Sequence, residues 1–343
     1  MTDKKTDSRK LSPGIVILIL AVVLLAVFII SFSLGRYSVP VPQVVKILLS
    51  RLFPLAQSWT QEMEIVVINI RLPRIIMACL VGCSLSAAGA AYQGVFQNPM
   101  ASPDILGASS GACFGAALAI LLGFGSLMIT GMAFLSSLIT VALVFLISVR
   151  APGLKVVNLI LAGIMVSSLF SAATSYIKLV ADPSNQLPAI TYWLMGSLSG
   201  VKLDDIPLAF IPMALGLAVL FAIRWRINLL SLGDDEARAL GVNTGAVRLI
   251  IIAAATLITA ASISVSGMIG WVGLVIPHLF RKLVGGDYKH LMPASMLGGA
   301  LFMLIVDNIS RNLLAVEIPI GILTAFVGAP FFVWLLLRKE KTL

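Results

Sequence analysis

The chain has 343 residues, 59% of them hydrophobic and 11% charged, with a mean hydropathy of +1.05. That is under half the charged share of a soluble domain, roughly 25%, and so much apolar surface has a use only where the outside of the protein faces hydrocarbon. The net charge of +9 does not point to nucleic acid, because the basic residues sit singly or in pairs between apolar runs, as topology-setting charges do.

A membrane-spanning helix needs about 20 predominantly apolar residues, and ten segments read as spans. The first, residues 14–34, has no small-x-small cleavage site and reads as a span, not a removable signal. A polar connection with a short interfacial helix over residues 42–53 follows. The second to fifth spans read as 75–92, 105–122, 127–149 and 156–177. A half-polar stretch, 178–205, is expected on one surface, with a short helix around 192–198. The sixth span is 206–223, followed by a charged loop, 224–248, and the seventh at 249–266. The eighth (267–280) and ninth (291–306) are short and hold Pro277 and Pro293; the tenth is 318–337. The whole forms a single all-α membrane domain over 1–343, with 1–13 as a tail.

Ten spans place both termini on one side. With the termini cytoplasmic, 16 of the 24 Lys and Arg fall inside and 8 outside, among them Arg71, Arg74 and Arg311. This bias supports cytoplasmic termini and makes the outer arginines the anomaly. Gly107, Gly111 and Gly115 form a small-xxx-small stripe that suits close helix packing. Cys79 and Cys83 share a helix face, and Cys113 lies in another apolar run. A metal or redox pair is conceivable, but small residues at helix contacts are the commoner case.

No Gly-x-x-x-x-Gly-Lys-Ser/Thr loop, His-Glu-x-x-His helix or Gly-x-Ser-x-Gly elbow occurs. The two histidines, His278 and His290, suggest no metal site, and the spans carry no mid-membrane acid or base of the kind an ion-driven carrier uses. Asp307 and Glu317 lie at outer helix ends around Arg311. In the charged loop, Asp234, Asp235 and Glu236 open a short helix at its positive end, Ala237, Ala239 and Leu240 give it an apolar face, and Gly241 closes it. Such a helix fits a groove on a partner, although a solvated connection would also account for it.

Four segments together resemble one family. They are Arg71-Leu-Pro-Arg74; Ala88-Gly-Ala-Ala-Tyr-Gln-Gly-Val-Phe-Gln-Asn-Pro-Met-Ala-Ser-Pro-Asp-Ile-Leu-Gly107; the loop from Leu229 to Asn243, with Glu236-Ala237 and Gly241 in the pattern; and Gly270-Trp-Val-Gly-Leu-Val-Ile-Pro-His-Leu-Phe-Arg281, continued by Asp307, Arg311, Glu317-Ile-Pro-Ile-Gly321 and Gly328-Ala-Pro-Phe-Phe332. The chain resembles the permease subunits of ABC importers for iron chelates, haem and vitamin B12. The resemblance implies ten spans, a second copy or paralogue, an ATPase dimer carrying ATP and Mg, an extracytoplasmic binding protein, and no cofactor in this chain. It implies that Arg71, Arg74 and Arg311 receive carboxylates of the binding protein, since Arg suits bidentate carboxylate contacts. It gives Gly233, Asp234, Glu236, Ala237, Leu240 and Gly241 to ATPase coupling. Asn98 and Met100, facing Val156 and Val157, would form a cytoplasmic gate. Asn98 in front of Pro99 could also simply start a turn. The expected cargo is a ferric siderophore, with cobalamin or haem as alternatives. The mild polarity of Asn158, Met165, Ser167, Ser168, Ser171 and Thr174 would let a bulky chelate slide. An ion-coupled secondary transporter is the alternative of a different class.

Overall fold

The computed structural model describes residues 11–54 and 56–337; the 1–10 part of the expected tail, Arg338, Lys339 and Lys341 lie outside the described residues. All regular secondary structure among these residues is helical. In chain order the helices are α1 (Pro13–Ser33), α2 (Val41–Ser50), α3 (Gln61–Ile65), α4 (Leu72–Val95), α5 (Ala108–Leu121), α6 (Ser126–Arg150), α7 (Lys155–Val180), α8 (Gln186–Met195), α9 (Asp205–Leu232), α10 (Asp234–Ala239), α11 (Thr244–Ser266), α12 (Val272–Val284), α13 (Tyr288–Asn312) and α14 (Ile320–Leu337).

Seven helical stretches are long and apolar enough to cross a membrane: α1, the run Gln61–Val95, α6, α7, α9, α11 and α13. The other three expected spans fall on shorter helices, α5, α12 and α14. α4 is the axis of the bundle and packs against α9, α11, α12 and α13. α5, α6 and α7 form a second group that meets the first through α11, while α1 lies on α13. α1 is largely exposed and almost uniformly apolar, as a lipid-facing helix must be. Apolar residues of α7 (Leu161, Ile164, Met165, Leu169) and α14 (Phe326, Val333) are also exposed.

Three expectations need correction. The second span begins earlier than its apolar run, because α3 and a π-helical turn, Val66–Arg71, continue straight into α4. Pro73 lacks an N–H and its ring crowds the carbonyl four residues back. The π-turn widens the helix there, with the Leu72 amide reaching Val67 O. The stretch 178–205 is mostly exposed, but its helix lies earlier than expected. α8 runs from Gln186 to Met195 with Gly196 as its cap, and Ile190 and, beyond the helix, Leu198 are fully buried. Finally, most of 224–248 is helix. α9 runs on to Leu232 with Arg224 and Arg226 on its last turns, and α11 begins at Thr244. Long Arg side chains carry their charge away from an apolar helix stem, so charge there does not break the helix.

Motif glycines sit at helix crossings. A Cβ on Gly89 in α4 would overlap the Gly273 carbonyl in α12, so two of the motif segments meet at this point. On the small-residue stripe, a Cβ on Gly111 would overlap Thr140 Oγ1 of α6. The stripe is therefore a close-packing surface.

Candidate functional site: two helix-end clusters and a cleft

At one end of the bundle the structure gathers the anomalous arginines. Arg74 Nε donates to Asp307 Oδ1 at 2.7 Å, and its Nη1 donates to both carboxylate oxygens of Glu317 at 2.9 Å. Arg311 Nε lies 3.7 Å from Asp307 Oδ2, and its Nη2 donates to Ser31 O at 2.8 Å. Arg71 donates to the carbonyls of Phe32 and Tyr37. Helices α4, α13 and α1 are thus tied together through guanidinium groups. All three arginines are buried, at 4–7% exposure, and Asp307 is fully buried. Glu317, 30% exposed, is the member of the cluster open to the outside. Three guanidinium groups against two carboxylates leave the cluster electropositive. The expectation that these arginines face outward thus needs qualification: each is already engaged by its own chain. Asp307 as their shared counter-ion was not foreseen, since it lies 233 positions from Arg74. Arg36, at the same end, is exposed and holds the Leu314 and Ala315 carbonyls.

The opposite end carries α10. Its first residue, Asp234, forms a two-bond ion pair with Arg248 of α11: Nη2 to Oδ1 at 2.7 Å and Nη1 to Oδ2 at 3.3 Å. The Arg248 side chain is 7% exposed. Asp234 is therefore held within the chain, whereas Asp235, Glu236 and Leu240 are exposed and Ala237 is fully buried. Gly241, at φ +79°, closes the helix as expected, with its amide on Arg238 O. Arg248 had no place in the reading of the sequence, where it was one loop charge among several.

Beside α10 lies the end of α4. The Asn98 side chain accepts the Met100 amide at 2.9 Å, so it does make the turn before Pro99. Gln97, in the left-handed region at φ 50°, donates its side-chain amide to Leu230 O at 2.8 Å, tying this turn to the end of α9. Met100 and Val157 are exposed, while Val156 packs against the core.

Between these ends a cleft of about 920 Å³ opens, bordered by Asp104, Met195, Met268, Trp271, Phe326 and Pro330 among others. No Lys, Arg or His lines it among the described residues; the one ionisable group is Asp104, whose carboxylate accepts from the Ser109 hydroxyl. Trp271 sits at φ 69°, an uncommon conformation for a bulky residue, with its ring edge-on to Phe332 of α14. On α7, the hydroxyls of Ser168 and of the buried Thr174 bond carbonyls of their own helix, and Asn158 bonds the Ala151 and Pro152 carbonyls. Cys79 and Cys83 are half-buried free thiols, with no cluster of metal-ligating side chains among the described residues.

Comparison with known proteins is consistent across sequence and structure. The FecCD transport family matches residues 23–338. The molybdate import system permease protein of Haemophilus influenzae is 41% identical over 322 residues, covering 94% of this chain and 95% of that protein. The Fe(3+)-citrate import system permease protein of Bacillus subtilis is 37% identical over 340 residues, covering 97% and 98%. A solved ABC transporter, described as of metal-chelate type and inward-facing, superposes with a TM-score of 0.85 at 39% identity, covering 94% of this chain and 99% of that one.

Proposed function

This chain belongs to the FecCD transport family, and from that premise we propose that it passes a bulky metal chelate, most simply a ferric siderophore, through a ten-span pore subunit with cytoplasmic termini. As an ABC importer permease it is a multi-pass protein of the cytoplasmic membrane and a transport channel, not an enzyme; hydrolysis of ATP belongs to separate subunits. No cofactor is assigned to it.

The observation that carries the choice of cargo is the cleft. An inorganic oxyanion such as molybdate needs cationic or N–H donors to replace its water. A cleft of about 920 Å³ bordered by Met, Trp and Phe, with one carboxylate and no cation, offers few of them, the Trp271 indole N–H and the Ser102 hydroxyl being its neutral side-chain donors. It suits a large, largely apolar chelate that must not bind tightly. Cobalamin and haem share these properties and remain the alternatives.

The partners follow from the same arrangement. The exposed acidic and apolar face of α10 is read as the dock for the ATPase. The electropositive Arg71–Arg74–Arg311 cluster is read as the dock for acidic side chains of a binding protein, with Glu317 as the group that yields its place. The uncovered faces of α7 and α14 are read as the contact with a second permease copy or paralogue. Asn98, Met100, Val156 and Val157 stay in the proposal as the cytoplasmic gate.

The test is purification with the candidate ATPase and reconstitution in proteoliposomes with binding proteins loaded with ferric siderophore, cobalamin, haem or molybdate. Uptake of one chelate, dependent on ATP and on its binding protein, is the expected result. Molybdate uptake would overturn the cargo reading, and uptake driven by a proton gradient without ATP would overturn the importer reading.

A further inference from the structure

The short helix α10 lies between α9 and α11, and its attachments to the two differ. Toward α9 there is Gly233, at φ +126° and ψ 157°, an orientation few residues other than Gly adopt. One long backbone bond crosses the junction, Gly233 N to Leu230 O at 3.3 Å, and α10 otherwise rests on the end of α9 by packing, without a side-chain hydrogen bond or ion pair among the described residues. Toward α11 the chain is knit throughout. Gly241 N bonds Arg238 O at 2.9 Å, and Val242 N bonds Ala237 O at 3.0 Å. Asn243 caps α11 through the Ala246 amide at 3.1 Å. Over this corner lies the Asp234–Arg248 pair, with Arg238 Nε also reaching Thr244 Oγ1 at 3.4 Å. The arrangement is a hinge on one side and a clamp on the other.

α11 is also the most enclosed of the seven long helices, 72% of its apolar window being buried. Its 23 residues cover about 34 Å at 1.5 Å per residue. At its far end Ser266 O accepts the Ser197 amide at 2.8 Å, and Gly196 O accepts the Ile320 amide at 2.9 Å. The end of α8 and the start of α14 are thus fastened to the end of α11. Both border the cleft, through Met195 and Gly321.

We propose that Arg248 is the positioning residue that makes α10 and α11 one body, so that a displacement imposed on α10 turns about Gly233 and is delivered along α11 to the Gly196 junction beside the cleft. The proposal rests on α10 being the ATPase dock. It adds that the movement leaves through α11 and not through α9, and that one guanidinium decides this. Arg is required because its fork holds both Asp234 oxygens; a point charge would not fix the angle of α10.

Two measurements separate failure of this proposal from failure of the functional reading. The first needs no partner: distances between spin labels at Ala239 on α10 and Ala253 on α11, in lipid nanodiscs. The wild-type distribution is expected to be narrow, Arg248→Gln to broaden it at least about two-fold, and the double variant Arg248→Asp/Asp234→Arg to narrow it again. An equally narrow distribution in Arg248→Gln would overturn the clamp. The second is chelate taken up per ATP hydrolysed by the reconstituted assembly. Arg248→Gln is expected to retain the ATPase subunits and hydrolysis while this ratio falls about ten-fold, Arg248→Lys to lie between, and the charge swap to recover most of it. A ratio within two-fold of wild type in Arg248→Gln, or a swap no better than either single change, would overturn the relay. If the wild-type chain recruits no ATPase, the dock reading fails, and the relay that rests on it fails too, whatever the labels show.

Discussion

Arg74 holds Asp307 and Glu317 at once, its Nε on one carboxylate at 2.7 Å and its Nη1 on the other at 2.9 Å. One side chain of α4 is thereby bonded to α13 and to the segment leading into α14. Asp307 is fully buried, with two guanidinium groups against it. Removing it leaves Arg311 without a carboxylate and Arg74 with Glu317 alone, and breaking a buried pair from one side costs about 3–5 kcal/mol. Asp307→Asn should therefore lower the thermal midpoint in detergent markedly. The double change Asp307→Leu/Arg74→Met should cost less than the sum of the single changes, since it removes both charges. An additive cycle would show that the pair does not act as a unit.

Glu317 differs in being partly exposed. It satisfies Arg74 without being locked in, so a carboxylate from outside can take its place. Glu317→Gln should leave the fold intact and raise the affinity for a loaded binding protein about three- to ten-fold, roughly 1 kcal/mol. The gain should shrink as salt rises, because the contact is charged and near solvent. Titration of nanodisc-held protein at two ionic strengths measures this. Unchanged or weakened binding would mean that Glu317 does not compete for Arg74.

How much of this was legible in the sequence depends on the range of each interaction. Every expected span has a helix under it, because apolar run length is a local property. The crossing of Gly89 with Gly273 was present in two motif segments, but not that one faces the other. Arg74 and Arg311 stood out as cations on the wrong side, yet their burial follows from Asp307, which is one helical turn from Arg311 but far from Arg74 in the chain. Arg224, Arg226 and Arg248 looked alike as loop charges. In the fold the first two ride on the extended end of α9, and the third is enclosed by Asp234. The misplaced α8 has the same origin: its Ile190 is buried with Ala117 of α5 and Ile177 of α7, which no local pattern around it specifies.

The Gly89–Gly273 crossing yields a packing prediction. A side chain on Gly89 must push α12 away from α4, and overpacking of this kind costs about 1–3 kcal/mol or more where backbone must move. Gly89→Val should therefore reduce the amount of protein surviving extraction, and Gly89→Ala should do so less. Gly123→Ala makes a control for loss of glycine by itself, since nothing lies near that position, although its φ of +73° carries a strain of its own. Equal yields for Gly89→Val and wild type would mean that the two helices are free to separate.

Asp287 gives a pH dependence of definite sign. It caps α13 by accepting the Lys289 amide at 2.9 Å and also accepts Asn228 Nδ2 at 2.7 Å, and these bonds hold its carboxyl below the usual value. The unfolded chain titrates near about 3.9. Its stabilisation is therefore complete above that pH and is lost as pH falls through the lower folded-state value. Asp287→Ala should cost about 1 kcal/mol at neutral pH, the usual loss for a cap. The difference from wild type should close under acid conditions. Thermal midpoints of the two proteins between pH 2.5 and 7 measure this, and a gap that widens toward acid would reverse the assignment.

On α10, exposed and buried neighbours predict opposite outcomes for similar changes. Leu240 is 61% exposed beside Asp235 and Glu236, whereas Ala237 is fully buried. If this face docks in an ATPase groove, Leu240 is its apolar anchor, and truncating or charging such an anchor costs about 2 kcal/mol or more of binding. Leu240→Asp should then recover at least about 30-fold less ATPase in detergent while its thermal midpoint stays at the wild-type value. Glu236→Lys should act in the same direction and be relieved by high salt. Ala237→Asp buries a charge instead, and should lower the midpoint as well as the ATPase recovery. The decisive result is Leu240→Asp. Full ATPase recovery with that variant would mean that α10 is a connecting turn, and that the subunits which hydrolyse ATP grip the permease elsewhere.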